Sequence, residues 1–194
     1  VGGAVAALQL GALVLAALGA WTAAGAATRS VGLRAWAALV WTGAPALLLA
    51  TSQGRPGAVL AHVALPWVAL GVARAVGVAR IDGVASGLVG AQRVGAAPAT
   101  APVTPVVRTA EPSLAAAAGA GLAFVLVTAG SPVLLPAGLL ALAVVAVVAR
   151  PGRRLVWVAL PALALHGPTL AEAAGTWADG GWRLLLTDPA VVLP

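Results

Sequence analysis

The chain of 194 residues has no cysteine, methionine or tyrosine, and its eleven basic residues are all arginine. Without cysteine there is no disulfide framework, thiolate metal site or cysteine nucleophile. Without lysine there is no phosphate-binding P-loop. Charged residues are scarce at 8%, against the roughly 25% that a soluble domain uses to cover its surface. What is present instead is apolar: 61% of residues are hydrophobic and the mean hydropathy is +1.03. The fold class this predicts is all-α, a polytopic membrane protein. Val1 has no basic n-region after it, so the first apolar run reads as part of a longer chain rather than as a signal peptide.

Six apolar runs suit bilayer crossings, in two groups of three. Val5 to Ala26 reaches about 33 Å as a helix, the thickness of a hydrocarbon core. Ala35 to Thr51 carries Trp36 and Trp41 toward its start, where indoles prefer the interface. Gly57 to Ala79 contains His62, Pro66 and Trp67, and places Arg74 where it can snorkel to headgroups. The second group is Leu114 to Gly130, Pro132 to Ala149 and Leu155 to Ala171, with a tight hairpin at Ser131-Pro132. The organisation is therefore spans one to three in residues 1–81, a Pro/Thr-containing linker at 82–113, spans four to six in 114–171, and a surface segment at 172–194 that carries Trp177 and Trp182. Within the linker, Val84 to Val94 fits a short interfacial helix or an irregular loop equally well. Small residues recur at four-residue spacing as Ala115, Gly119 and Ala123, and as Ala117 and Gly121, a pattern that lets helices approach closely in lipid.

Arginine placement gives the six spans an orientation. Arg29 and Arg34 lie between spans one and two, Arg74, Arg80, Arg93 and Arg108 flank or occupy the linker, and Arg150, Arg153 and Arg154 lie between spans five and six. Only Arg55 and Arg183 fall on the other side, with Glu172, Asp179 and Asp188. Both ends are thus expected outside the cell membrane, and the linker and the arginine-rich turn in the cytoplasm.

Chemistry-bearing residues are few. None of the five acids, Asp82, Glu111, Glu172, Asp179 and Asp188, is two residues from another, so no Asp-x-Asp pair exists for a metal-bound nucleotide. The two histidines lie outside any His-Glu-x-x-His context, and Gly119-Ala-Gly121 lacks the third glycine of a dinucleotide fingerprint. No metal, cofactor or nucleic acid is expected to bind. Arg150, Arg153 and Arg154 are the candidate contacts for a lipid phosphate, against the plainer reading of a topology-setting loop. His166, in His166-Gly-Pro168, and Glu172 are the candidate extracytoplasmic polar site, where a histidine bonded to headgroups or water is the plainer reading. His62 reads in the same way as an interfacial histidine. Prolines 45, 66, 136, 161 and 168 lie in or near spans and predict kinks.

An alanine-, glycine-, valine- and arginine-rich chain suggests a GC-rich genome, such as an actinobacterial one. The stretches His62-Val-Ala-Leu-Pro-Trp67-Val-Ala-Leu-Gly-Val-Ala-Arg74, Ser86-Gly-Leu-Val-Gly-Ala-Gln-Arg93 and Trp182-Arg-Leu-Leu-Leu-Thr-Asp188-Pro189 resemble the multi-span region after the catalytic domain of large actinobacterial family-two glycosyltransferases. That resemblance implies a parent enzyme that moves sugar from an activated donor onto an envelope glycan or lipid-linked acceptor. The Asp-x-Asp and Gln-x-x-Arg-Trp signatures of such a catalytic domain are absent, so this chain would be its membrane part, anchoring it and guiding a polyprenyl-phosphate-linked sugar or glycan. Membrane lipid is the expected partner. Two other classes fit the same spans: a fragment of a transporter or flippase, and a non-catalytic scaffold.

Overall fold

The computed structural model describes residues 2–78, 113–149 and 152–186. Among them there are helices and turns and no strand. The helices are α1 (Gly2–Gly25), α2 (Val31–Thr42), α3 (Pro45–Ser52), α4 (Pro56–Ala75), α5 (Leu114–Gly130), α6 (Leu134–Val148), α7 (Val156–Leu165) and α8 (Gly167–Gly175). Short 3-10 turns cover Gly152–Leu155, Trp177–Asp179 and Gly181–Leu185.

Local chemistry sets the starts. Ser30 and Ser113 cap α2 and α5, each side-chain oxygen accepting from a backbone N–H in the first turn, Leu33 at 3.4 Å and Ala116 at 3.3 Å. Pro45, Pro56 and Pro168 stand in the first turns of α3, α4 and α8, where a missing N–H costs nothing.

Two stretches, Val31–Ser52 and Pro56–Ala75, are long and apolar enough to cross a membrane. The bent pair Arg153–Leu165 and Gly167–Gly175 makes a third if it counts as one span. Leu10–Gly25, Leu114–Gly130 and Leu134–Val148 are apolar and shorter. The run expected as span six is not one straight rod. It breaks by 75° at His166, because Pro168 has no N–H for the Ala164 carbonyl and its ring crowds that turn. The second run is likewise two helices, α2 and α3, divided at Gly43 and Ala44 ahead of Pro45. The proposed helix Val84 to Val94 lies outside the described residues.

Helices α1 and α4 run parallel. Ala7 and Gly11 share a groove with Pro56 to Leu60, and a turn or two further on Gly19 lies against Pro66 and Trp67. Helix α5 runs antiparallel to α4, and theirs is the most extensive contact of the bundle. Gly57 meets Gly130 backbone to backbone at one end. At the other end Gly71 lies against Ala120, and the Ser113 N–H donates to the Arg74 carbonyl at 3.4 Å. Helix α7 packs on a neighbouring face of α5, where a Cβ at Gly121 would lie 2.8 Å from the Trp157 carbonyl oxygen. Pro161 deprives that oxygen of its helical donor, and the bare Gly121 backbone lets a Cα–H approach it. Of the two small-residue series, the packing one is therefore Ala117 and Gly121, which are buried. Ala115 and Gly119 are exposed, and Ala123 is half-buried.

The buried positions belong chiefly to small residues: Ala16, Ala61, Ala64, Ala75, Ala117, Ala120 and Ala162 are all under 5% exposed. Phe124, Val127, Leu135, Leu155 and Val158 fill the remaining space. The large apolar side chains point the other way. Leu18, Leu39, Leu122, Leu140, Val147 and Trp157 are each at least half exposed, Val147 at 87%. Helix contacts made by alanine and glycine beneath an outer layer of leucine, valine and tryptophan invert the arrangement of a water-soluble bundle.

Candidate functional site

Among the described residues, five of the seven arginines share one end of the bundle, and Arg55, Arg183, Glu172 and Asp179 lie toward the other. The parallel course of α1 and α4 sets Arg29 and Arg34, in and after the α1–α2 turn, at the same end as Arg74 in the last turn of α4. The Gly152–Leu155 turn, which holds Arg153 and Arg154, packs against α4 and α5, with Leu155 in the same buried cluster as Ala75 and Val76. Arg34 is tied down locally: its Nε donates to the Trp21 carbonyl at 3.4 Å and its guanidinium sits 4.6 Å from the Trp21 ring centre. Arg153 is exposed. Arg154 is half-buried, and its Nη1 is enclosed without a hydrogen-bond partner. Arg150 lies outside the described residues.

His166 occupies the break between α7 and α8. Its backbone N–H donates to Ala162 at 3.0 Å and its carbonyl accepts from Leu170 at 2.9 Å, so the backbone is satisfied through the bend. Its ring Nε2 is enclosed and unpartnered. Glu172 stands exposed on α8, and no hydrogen bond joins its carboxylate to that nitrogen. Arg154 and His166 stand at opposite ends of α7, about 18 Å apart at the helical rise. The structure thus leaves the two candidate sites separate. Each offers a single enclosed donor or acceptor that an anion or a polar headgroup can satisfy. Beyond the bend, α8 packs on the Gly181–Leu185 turn, where Gly181 sits tightly on Thr176 and Ala173. Trp177 and Trp182 remain exposed there.

His62 behaves differently from the interfacial histidine expected. It faces α2 within the bundle, its ring stacked on Trp41 with centroids 4.5 Å apart and planes at 24°. His62 Nε2 lies 2.9 Å from the Trp41 carbonyl oxygen, and Trp41 Nε1 donates to the His62 carbonyl at 3.3 Å. A carbonyl only accepts, so Nε2 carries the proton and donates. The pair crosses two helices 21 residues apart. One signal for it stands in the sequence: each residue lies four before a proline, Trp41 before Pro45 and His62 before Pro66.

An open groove of about 460 Å³ runs between α1, α4 and the end of α5, lined by Gly11, Leu15, Leu60, Val63 and Ala129 among others, almost wholly apolar. Among the described residues no three histidine, aspartate or glutamate side chains lie together as a metal site would require. No protein-family model, curated protein or solved structure matches this chain.

Proposed function

We propose that this chain is the membrane-embedded region of a larger cell-envelope glycosyltransferase, which it anchors and for which it guides a lipid-linked or glycan acceptor. In this reading the apolar runs make six crossings, with both ends of the segment outside and the linker and arginine end in the cytoplasm. The observation that carries the membrane assignment is the inverted packing, small residues between helices and large apolar ones outside, because lipid tails solvate leucine as well as a core does. The shared end of Arg29, Arg34, Arg74, Arg153 and Arg154 supports the orientation. Sugar transfer rests on the three stretches that resemble family-two enzymes. The apolar groove suits a lipid chain, and the enclosed Arg154 Nη1 suits a phosphate oxygen at the cytoplasmic surface.

The test is transfer of radiolabelled sugar from nucleotide donors to polyprenyl phosphate in membranes, with residues 1–194 of the parent either intact or replaced by an unrelated anchor. Loss of transfer with the catalytic domain still folded and abundant is the expected result. Full retention reduces the segment to an anchor, and no transfer by either form contradicts the glycosyltransferase reading. The 75° break at His166 favours a second reading, a transporter fragment, since broken helices build transporter sites. That reading requires solute flux into proteoliposomes of the purified chain, and loss of the flux in His166→Ala.

A further inference from the structure

A proline at position i leaves the carbonyl of residue i−4 without its helical donor, and in a bilayer no water replaces it. Pro45 does this to Trp41, and Pro66 does it to His62. Those are the two carbonyls that the pair satisfies. The Trp41 indole N–H donates to the oxygen freed by Pro66, and the His62 Nε2–H donates to the oxygen freed by Pro45. The Trp41 carbonyl also accepts a longer bond, 3.3 Å, from the Ala44 N–H, and the His62 carbonyl accepts only the indole among the hydrogen bonds between separate elements.

We infer that Trp41 and His62 form a two-way clasp that ties the α2–α3 joint to the point in the middle of the continuous helix α4 where Pro66 interrupts its hydrogen bonds, making the two one rigid unit. Each ring supplies the donor that the other residue's backbone has lost, and stacking holds both rings in register. Opening the clasp bares the His62 carbonyl and leaves the Trp41 carbonyl only its longer bond from Ala44, and the shared stack makes the two bonds open together rather than one by one. Pro66 is buried while Gly43 is exposed, so the clasp fastens a surface break to the interior of the bundle.

The inference makes a crossed prediction, read as the thermal midpoint of the purified 194-residue chain in lipid nanodiscs. Trp41→Phe keeps an aromatic ring and loses the donor, and lowers the midpoint on the order of 5 °C. Adding Pro66→Ala, which returns an N–H to the His62 carbonyl, restores most of that loss, and adding Pro45→Ala does not. His62→Phe lowers the midpoint less, because Ala44 still serves the Trp41 carbonyl, and there Pro45→Ala is the substitution that restores it. Equal rescue by either proline substitution, or rescue by neither, overturns the clasp. Where a variant fails to fold, the nitrogen-15 spectrum of the unaltered chain decides. A His62 ring protonated at Nε2 supports the clasp, and one protonated only at Nδ1 overturns it.

Discussion

Replacing Gly130 by leucine pushes α4 away from α5 and strongly destabilises the folded bundle. The backbones of Gly57 and Gly130 face each other so closely that a Cβ on either would overlap the other's carbonyl group, with no flexible side chain to move aside. Real Cβ atoms cannot occupy that space, so the helices must part along their largest contact. Overpacking a core by a few carbons costs about 1–3 kcal/mol. Here the obstacle is backbone, which places the cost at the upper end or beyond it. Gly57→Leu has the same effect from the other helix. Gly119→Leu, on the same α5 but with nothing within 4 Å of its Cβ position, changes stability by about 0.5 kcal/mol or less. Reversible unfolding in mixed micelles measures all three. Equal tolerance at positions 119 and 130 would show that the close approach is not what joins these helices.

Phe124→Ala is expected to cost about 2 kcal/mol, smaller than the 3–5 typical of a soluble core. Phe124 is the only phenylalanine in the chain, is 3% exposed, and lays its ring on the bare backbone of Gly138, filling the space between α5 and α6. Removing it opens a cavity and forfeits dispersion contacts in any environment. In a bilayer the transfer part of the cost falls away, because lipid receives a phenyl ring about as well as the core does. The substitution therefore distinguishes the two environments. Val147→Ala, at a position 87% exposed, is nearly neutral in lipid. The companion change Gly138→Ala also destabilises, since its Cβ would enter the Phe124 ring.

Much of this architecture can be read directly from the sequence, and the exceptions have physical causes. Leu114 to Gly130 is a helix with the bounds read from the sequence, because the Ser131-Pro132 turn ends an otherwise uniform apolar run and the Ser113 side chain caps its start. Arg74 lies in the last turn of α4, as a snorkelling arginine should. The run from Leu155 to Ala171 reads as continuous because hydropathy carries no information about direction, while the backbone at His166-Gly-Pro168 turns by 75°. Which small-residue series packs is hidden for a related reason. In an alanine-rich helix both faces look alike, and only the position of Trp157 and Val158 across from Gly121 separates them. Of the candidate site residues, Arg153, Arg154, His166 and Glu172 are each recognisable as rare polar groups in an apolar chain. Their separation is recognisable as well, because the arginine turn and His166 fall at opposite ends of the sixth apolar run. The enclosure of Arg154 Nη1 and His166 Nε2 is not, because it depends on how the helices pack. The Trp41–His62 pair depends on two helices meeting, although its proline spacing is visible to a reader who asks where each freed carbonyl goes.

The central claim is a membrane-embedded bundle with its arginine end on the cytoplasmic side, and the absence of native cysteine allows a direct test. Single substitutions Ala27→Cys and Arg153→Cys mark the arginine end, and Gln53→Cys and Ala178→Cys mark the opposite end; all four positions are exposed. A membrane-impermeant maleimide is added to intact cells and then to lysed ones. The account predicts labelling of positions 53 and 178 in intact cells, and of 27 and 153 only after lysis. Equal labelling of all four in intact cells, or labelling of 27 and 153 ahead of 53 and 178, would contradict it.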